Sequence, residues 1–305
     1  MRSGLFARGM TKSPTLADYT VYYQRRGREQ PETGARPLVS VVTATLNSAE
    51  MVARTIQSVQ AQQFRSLEHI LVDGGSTDGT IGIIRNSARP IDYWITEQDR
   101  GISDAFNKGV AMARGRFIQI LNADDWLSSD QIALAVAEMI KTSADFVFGD
   151  LIFYENGQAS FVYTGDADYA RVIERRMPAI GHPTLLAART CFERAGLFNL
   201  AYRRAMDYDW LLRLHRAGGR GAYCAAVVGH MTHDGVSNRE FRNTIQEVKD
   251  IAIAHGRSRF LATAEAHIRQ IKTAAAGPLK RHAQPLYRLI RRGLNSSFRP
   301  VSSHH

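Results

Sequence analysis

The chain has 305 residues, of which 44% are hydrophobic and 22% charged, a balance that suits one large globular domain or two small ones. No apolar run approaches the ~20 residues needed to cross a bilayer. The stretch from Met1 to Thr20 lacks the sustained apolar core of a secretory signal. The two cysteines, Cys191 and Cys224, form neither a disulfide framework nor a zinc ribbon, so a cytoplasmic protein is expected, working in solution or at the inner face of the cell membrane. The net charge of +10 is uneven: residues 1–36 carry +4, residues 241–305 carry +9, and the body between them carries −3. Basic flanks beside a near-neutral body would suit a nucleic-acid binder. The flanks hold no reading motif and no regularly spaced aromatic platform, so no nucleic-acid partner is expected.

In chain order, residues 1–36 are rich in Arg, Gly, Pro and Thr and read as a loose extension, with an aromatic cluster at Tyr19, Tyr22 and Tyr23 that can dock locally. The run Leu38–Thr43 reads as a buried strand. Asn47 with Glu50 then reads as a capping box for a helix carrying Val52, Ile56 and Val59 at helical spacing. A second strand, His69–Val72, ends at Asp73-Gly74-Gly75 and is followed by a helix over 80–86. Strands at 91–95 and 116–121 flank a helix over 103–113. This alternation predicts an α/β fold with a mostly parallel, Rossmann-like sheet flanked by helices. A helix over 128–140 follows, then a hairpin over 146–163 turning at Asn156-Gly157. Further helices are expected at 190–195 and from Asp207, the latter closed by Gly218-Gly219. Residues 37–240 thus read as one α/β unit, and 241–305 as a basic helical C-terminal extension.

Ligands of such sheets bind beyond the carboxyl ends of the strands. Asp73 and Asn122-Ala123-Asp124-Asp125 fall there. The acidic pair offers hard oxygen ligands for Mg²⁺ or Mn²⁺, and reads equally well as turn and cap chemistry. Asp73 reads either as a turn residue or as an acceptor for a base N–H. On its residues alone, Asp99 to Gly109 is a turn leading into a capped amphipathic helix. Asp207 and Asp209 stand at a helix start, where the dipole favours an ionised carboxylate available as a base; both also read as favourable N-terminal charges. The spacing of His230 and His233 makes His233 a second candidate metal ligand, although two loop histidines are commonly surface or hydrogen-bonded groups.

Together, Val39–Asn47, Leu71–Thr80, Glu97–Gly109, Asn122–Asp124 and Asp207–Asp209 resemble, in the same order, the motifs of inverting glycosyltransferases of family 2. These enzymes have the single-domain GT-A fold, and the stretch from Glu97 to Gly109 is similar to bacterial members that build surface polysaccharides. The resemblance runs from about Leu38 to Asn238. It implies that Thr43, Thr45 and Asn47 belong to the nucleotide pocket and that Asp73 contacts the base. Asp99, Gly101 and Asp104 would lie along the donor, with Asn122 near the ribose, Ala123 beside it and Asp124 on the metal. Asp207 would be the catalytic base, with His182 in a strand beneath the acceptor and Asp209 beside it. Two departures stand out. Asn122 replaces a common aspartate, and Met206 replaces an acidic residue before the base, leaving Asp207 less strongly pushed toward protonation.

The implied reaction is addition of a single sugar from a nucleotide-sugar donor to a sugar or lipid-linked saccharide acceptor. Neither the membrane spans nor the Gln-x-x-Arg-Trp signature of processive members is present. A dehydrogenase would need Gly-x-Gly-x-x-Gly where Thr43–Asn47 stands, and a phosphate-loop NTPase motif is absent. The remaining rivals are a sugar nucleotidyltransferase and a catalytically silent binding protein with basic flanks. In the basic extension, Leu286 to Arg292 alternates apolar and basic residues, which suits either peripheral contact with an anionic membrane or packing on the catalytic domain.

Overall fold

The computed structural model describes residues 14–19, 36–89, 91–232, 241–282 and 298–300. Its first half runs β1 (Val39–Thr45), α1 (Val52–Gln60), β2 (Leu67–Asp73), α2 (Thr80–Arg85), β3 (Tyr93–Thr96), α3 (Ile102–Met112) and β4 (Phe117–Asn122). β1 pairs in parallel with β2 on one side and β4 on the other, and β3 extends the sheet beyond β2. Consecutive parallel strands need crossovers, and α1, α2 and α3 supply them.

Both sheet faces are covered, which is why the strands read as unbroken apolar runs. Val39 and Val41 share a core with Ile132, Val136 and Met139 of α4 (Gln131–Thr142). Val42 and Ala44 point to the other face and pack with Phe106 and Val110 of α3. α3 is buried all round from Ser103 to Met112, so it is a central helix and not the amphipathic surface helix that its residues alone suggest.

The second half adds antiparallel pairing. β5 (Trp126–Leu127) precedes α4, and β6 (Phe146–Glu155) and β7 (Gln158–Tyr163) form the expected hairpin. Asn156 and Gly157 have φ of 50° and 76°, the left-handed pair that a two-residue hairpin turn requires. After the short helix α5 (Tyr169–Val172) the chain makes a 3₁₀ turn at His182–Thr184, which replaces the expected strand at His182. Then follow β8 (Leu186–Ala188), α6 (Arg189–Ala195), α7 (Met206–Arg216) and β9 (Gly221–Thr232). α7 closes as the sequence predicts: Gly219 N–H donates to Leu214 O and Gly218 N–H to His215 O. The extension supplies α8 (Phe241–Ala254) and α9 (Arg259–His282), and β10 (Phe298–Pro300) pairs with β7. No helix among the described residues is long and apolar enough to cross a membrane.

Candidate functional site

The sheet order β3-β2-β1-β4 means that the chain leaves β1 first toward β2 and later returns on the other side to β4. That reversal opens a crevice at the carboxyl ends of β1 and β4. Register places Thr45 opposite Asp73 and Ala44 opposite Asn122, so three of the expected residues end their strands together.

Two loops wall one side of the crevice and are fastened to each other. Asn47 does not cap α1: it has φ of 48°, and that helix starts after Met51 without a capping side chain. Instead Asn47 Oδ1 accepts the Thr77 N–H at 2.9 Å, and Asn47 N–H donates to Ser76 Oγ at 2.7 Å. Ala49 N–H donates to Asp78 Oδ2 at 3.0 Å. Asp73 is fully buried, and its carboxylate accepts the Gly75 and Ser76 N–H groups and the Ser76 and Thr96 hydroxyls, at 2.5–3.0 Å. Three of these bonds fall on Oδ2 and one on Oδ1, and through them Asp73 shapes the loop that follows it. Thr43 lies deeper, with its hydroxyl 2.9 Å from His69 Nε2, while the buried Thr45 hydroxyl finds no partner.

In the loop after β3, which packs on the loop after β2, Asp99 Oδ1 accepts the Gly101 N–H at 2.8 Å, and its carboxylate fills the space that a Cβ on Gly74 would need. Gly101 has φ of 110° and ψ of 174°, a backbone region that only glycine enters without strain. Asp104 accepts the Tyr19 hydroxyl, the Arg100 N–H at 3.0 Å and the Arg100 guanidinium at 2.8 Å. Burial pushes the Asp104 carboxyl up, but hydrogen bonds from Arg100 and Tyr19 and the charges of Lys108 and Arg100 outweigh it, leaving it below the usual range. Asp104 is therefore a buried hub that holds the loop before α3. Lys108 supports the same loop through Glu97 at 3.0 Å and the Gln98 carbonyl at 3.1 Å. Tyr19, at 1% exposure, shows that part of the N-terminal extension docks into the core.

At the end of β4, Asn122 Nδ2 donates to Asp125 Oδ2 at 2.9 Å, and both Asn122 Oδ1 and Asp125 Oδ1 are buried without partners. Ala123 is buried, and its carbonyl accepts the Thr55 hydroxyl at 2.8 Å. Burial raises the Asp124 carboxyl and, together with the Asp124 charge, raises that of Asp125 well above normal. Arg54, 3.4 Å over the Trp126 ring, is their cationic neighbour. This is an oxygen-rich, electron-rich corner with unspent acceptors, and it fits a hard cation. Among the described residues no three His, Cys, Asp or Glu side chains form a metal cage. His233 lies outside the described residues. His230 bonds Ser128 Oγ at 2.9 Å and stacks on Trp126.

α7 brings the other candidates. Asp207 Oδ1 accepts the Tyr208 N–H at 2.8 Å, and Oδ2 is 3.9 Å from His182 Nδ1. The expectation of a readily ionised Asp207 is corrected: burial, only partly offset by its backbone hydrogen bonds, raises its carboxyl to about 6. His182 packs 5.6 Å from the Phe106 ring, and burial lowers its pKa to about 4. Two residues along a helix is a turn of ~200°, so Asp209 points elsewhere. It binds Arg213 at 2.8 Å and His255 at 2.9 Å, which makes it a strut to the C-terminal helices and not a face on the acceptor.

Residues 40–195 match the model of glycosyl transferase family 2. The chain belongs to that family and is a glycosyltransferase. It is 33% identical over 184 residues to the PGL/p-HBAD biosynthesis glycosyltransferase of Mycobacterium tuberculosis, covering 59% of this chain and 70% of that one. Chondroitin synthase of Escherichia coli is 29% identical over 210 residues, covering 65% of this chain and 29% of the synthase. Among solved structures, mannosyltransferase PcManGT from Pyrobaculum calidifontis in complex with GDP-Man and Mn²⁺ aligns with a TM-score of 0.56 at 20% identity, over 91% of this chain and 87% of its own. S. aureus TarS 1-349 in complex with UDP-GlcNAc aligns with a TM-score of 0.56 at 16% identity, over 73% and 69% of the two chains. These likenesses establish the GT-A fold of this glycosyltransferase.

Two residues of the site are not flagged by the sequence: Arg54 beside the acidic pair, and Glu247 of α8, which binds the backbone leading into α7. No local motif flags them, because each acts across the fold.

Proposed function

We propose that this glycosyltransferase transfers one sugar, with inversion, from a nucleoside-diphosphate sugar to a hydroxyl of a saccharide acceptor, with Asp207 as the base. The observation that carries this reading is a family 2 domain in which a buried carboxylate, Asp207, is raised to about 6 and stands 3.9 Å from His182, while Asp124 and Asp125 follow the carboxyl end of β4. The acceptor oxygen attacks the anomeric carbon as Asp207 takes its proton. The bond from that carbon to the diphosphate breaks, and its electron pair leaves on the phosphate oxygen. Attack from the face opposite the leaving group inverts the centre. His182, neutral near pH 7, stands with Nδ1 3.9 Å from Asp207 Oδ2 and orients that carboxylate.

Asp124, with Asp125 and Asn122 behind it, would hold the Mg²⁺ or Mn²⁺. A bound cation of this kind supplies charge neutralisation for the departing diphosphate. Thr45 and Asn47 border the nucleotide, and Asp73 orders the loop against which the base lies. Asp99 and Gly101 set the backbone of the donor-side loop. The GDP-Man and UDP-GlcNAc bound by the structural neighbours support a nucleotide-sugar donor here. Purified protein would be screened with UDP-, GDP- and dTDP-sugars, with and without Mn²⁺, for nucleoside-diphosphate release that depends on a saccharide acceptor. Release unaffected by Asp124→Ala and Asp207→Asn would refute the assignment.

A lipid-linked acceptor would be met at a membrane surface, and α9 favours that setting. Phe260, Leu261, Ile268 and Ile271 are 80%, 55%, 51% and 68% exposed. At ~100° per residue they fall in one stripe about a quarter of the circumference wide. The stripe belongs to the segment with net charge +9, which complements an anionic lipid surface. Leu286 to Arg292 lies outside the described residues. The full chain is expected to co-sediment with phosphatidylcholine vesicles containing phosphatidylglycerol, and Phe260→Ser with Ile271→Ser to abolish this. Unchanged sedimentation of the double variant would overturn the membrane reading.

A further inference from the structure

The C-terminal helices send one carboxylate back into the catalytic domain. Glu247 of α8 accepts backbone N–H groups from Arg203 (3.1 and 3.2 Å), Arg204 (2.8 Å) and Ala205 (3.0 Å). These three residues lead directly into α7, whose N-cap, Ala205, has no capping side chain. Asp207 stands at the second position of that helix and takes the Tyr208 N–H for itself. Two carboxylates from different elements therefore divide the free donors at a single helix start.

We propose that Glu247 is a positioning residue for the base: it fixes the helix start that carries Asp207 and holds a negative charge beside it. The inference rests on the reading of Asp207 as the base. An unopposed helix N-terminus stabilises an anion and would leave Asp207 a weak base. Glu247 takes the N-cap donor and the two N–H groups before it and adds a like charge, which works against ionisation. A more basic carboxylate takes a proton more readily from an attacking hydroxyl. Met206 stands where the family resemblance implies an acidic residue, and Glu247 supplies such a charge from 41 positions farther along than Met206.

The same contact couples the two sides of the site. The loop pinned by Glu247 lays the Arg203 side chain over Gly101, and its Tyr202 carbonyl accepts the Ser103 hydroxyl at 2.7 Å. The groups that face Asp207 are few. His182 from the 3₁₀ turn is neutral at pH 7, and burial pushes the Tyr163 phenol of β7 up to about 12, so it is neutral too. Glu247 is the acid whose charge Asp207 feels from α8, tempered by Arg204 with Nη1 at 3.5 Å.

The test reads protonation directly, independent of substrate. In full-length protein labelled with ¹³C at the aspartate carboxyls, the Asp207 resonance is assigned by its loss in Asp207→Asn and followed against pH. Glu247→Gln keeps an acceptor oxygen but removes the charge. It should lower the Asp207 midpoint by about half a unit, roughly a threefold change in the acid constant. Arg204→Met keeps all three backbone bonds and should raise the midpoint. Glu247→Asp should restore it toward the wild-type value. A midpoint unmoved in both Glu247→Gln and Arg204→Met overturns the proposal, and the second variant decides the matter if the first fails to fold. Retained turnover in Asp207→Asn would instead remove Asp207 as the base while leaving the titration result standing.

Discussion

With Asp207 as the proposed base, activity and stability should depend on pH in opposite senses. Burial raises its carboxyl from 3.8 to about 6 in the folded protein. At pH 5 a carboxyl with that value is about one-tenth ionised, whereas an ordinary aspartate is about nine-tenths ionised. If the ionised form accepts the acceptor's proton, kcat/KM should fall about tenfold between the neutral plateau and pH 5, with a limb near 6. The same displacement destabilises the fold at neutral pH. A carboxyl raised on folding favours the native state while neutral, so its contribution is complete below pH 3.8 and is lost as pH rises through about 6. The loss is of the order of 3 kcal/mol. Asp207→Asn retains the oxygen that accepts the Tyr208 N–H and escapes this loss. The variant should be inactive yet melt several degrees above wild type at pH 7.5, and the difference should vanish by pH 4. A kcat/KM limb near 4, or an Asn variant that melts lower at pH 7.5, would refute the reasoning.

Asp209→Ala should behave in the opposite way. Breaking a buried carboxylate away from Arg213 and His255 costs about 3–5 kcal/mol, visible in urea unfolding, while the folded fraction keeps its KM for acceptor; a raised KM with unchanged stability would return Asp209 to the acceptor site. Asp124→Asn should reduce transfer by about 10²-fold or more and weaken the Mn²⁺ dependence of turnover, measured by metal titration after chelator treatment. Gly101→Ala forces a side chain into a backbone region reserved for glycine and should cost roughly 1–3 kcal/mol. It should also raise the donor KM more than it lowers kcat. Tyr19→Phe removes a buried hydroxyl from Asp104 and should cost about 1–2 kcal/mol in chemical denaturation, with little change if residues 14–19 do not hold the core.

The parallel half of the fold was legible because each of its signals is local. Val39 to Thr45 is an unbroken β-forming run and α1 repeats apolar residues at 3.6 spacing; in the antiparallel half, Asn156-Gly157 likewise demands its turn. The site was legible to the extent that strand ends carry it: Asp73, Asn122 and Asp124 can be placed at one sheet edge from sequence. What each carboxylate does there was not legible, since that depends on partners far along the chain. Asp104 and Asp209 look like Asp99 and Asp207 in sequence, yet Tyr19 and Arg100 occupy the first, and Arg213 and His255 the second. Sequence determined the fold class and the edge of the sheet where chemistry occurs. Tertiary structure alone decided which of those carboxylates are tied into ion pairs and which are raised by burial, because desolvation and charge pairing are properties of a place in the fold and not of a motif.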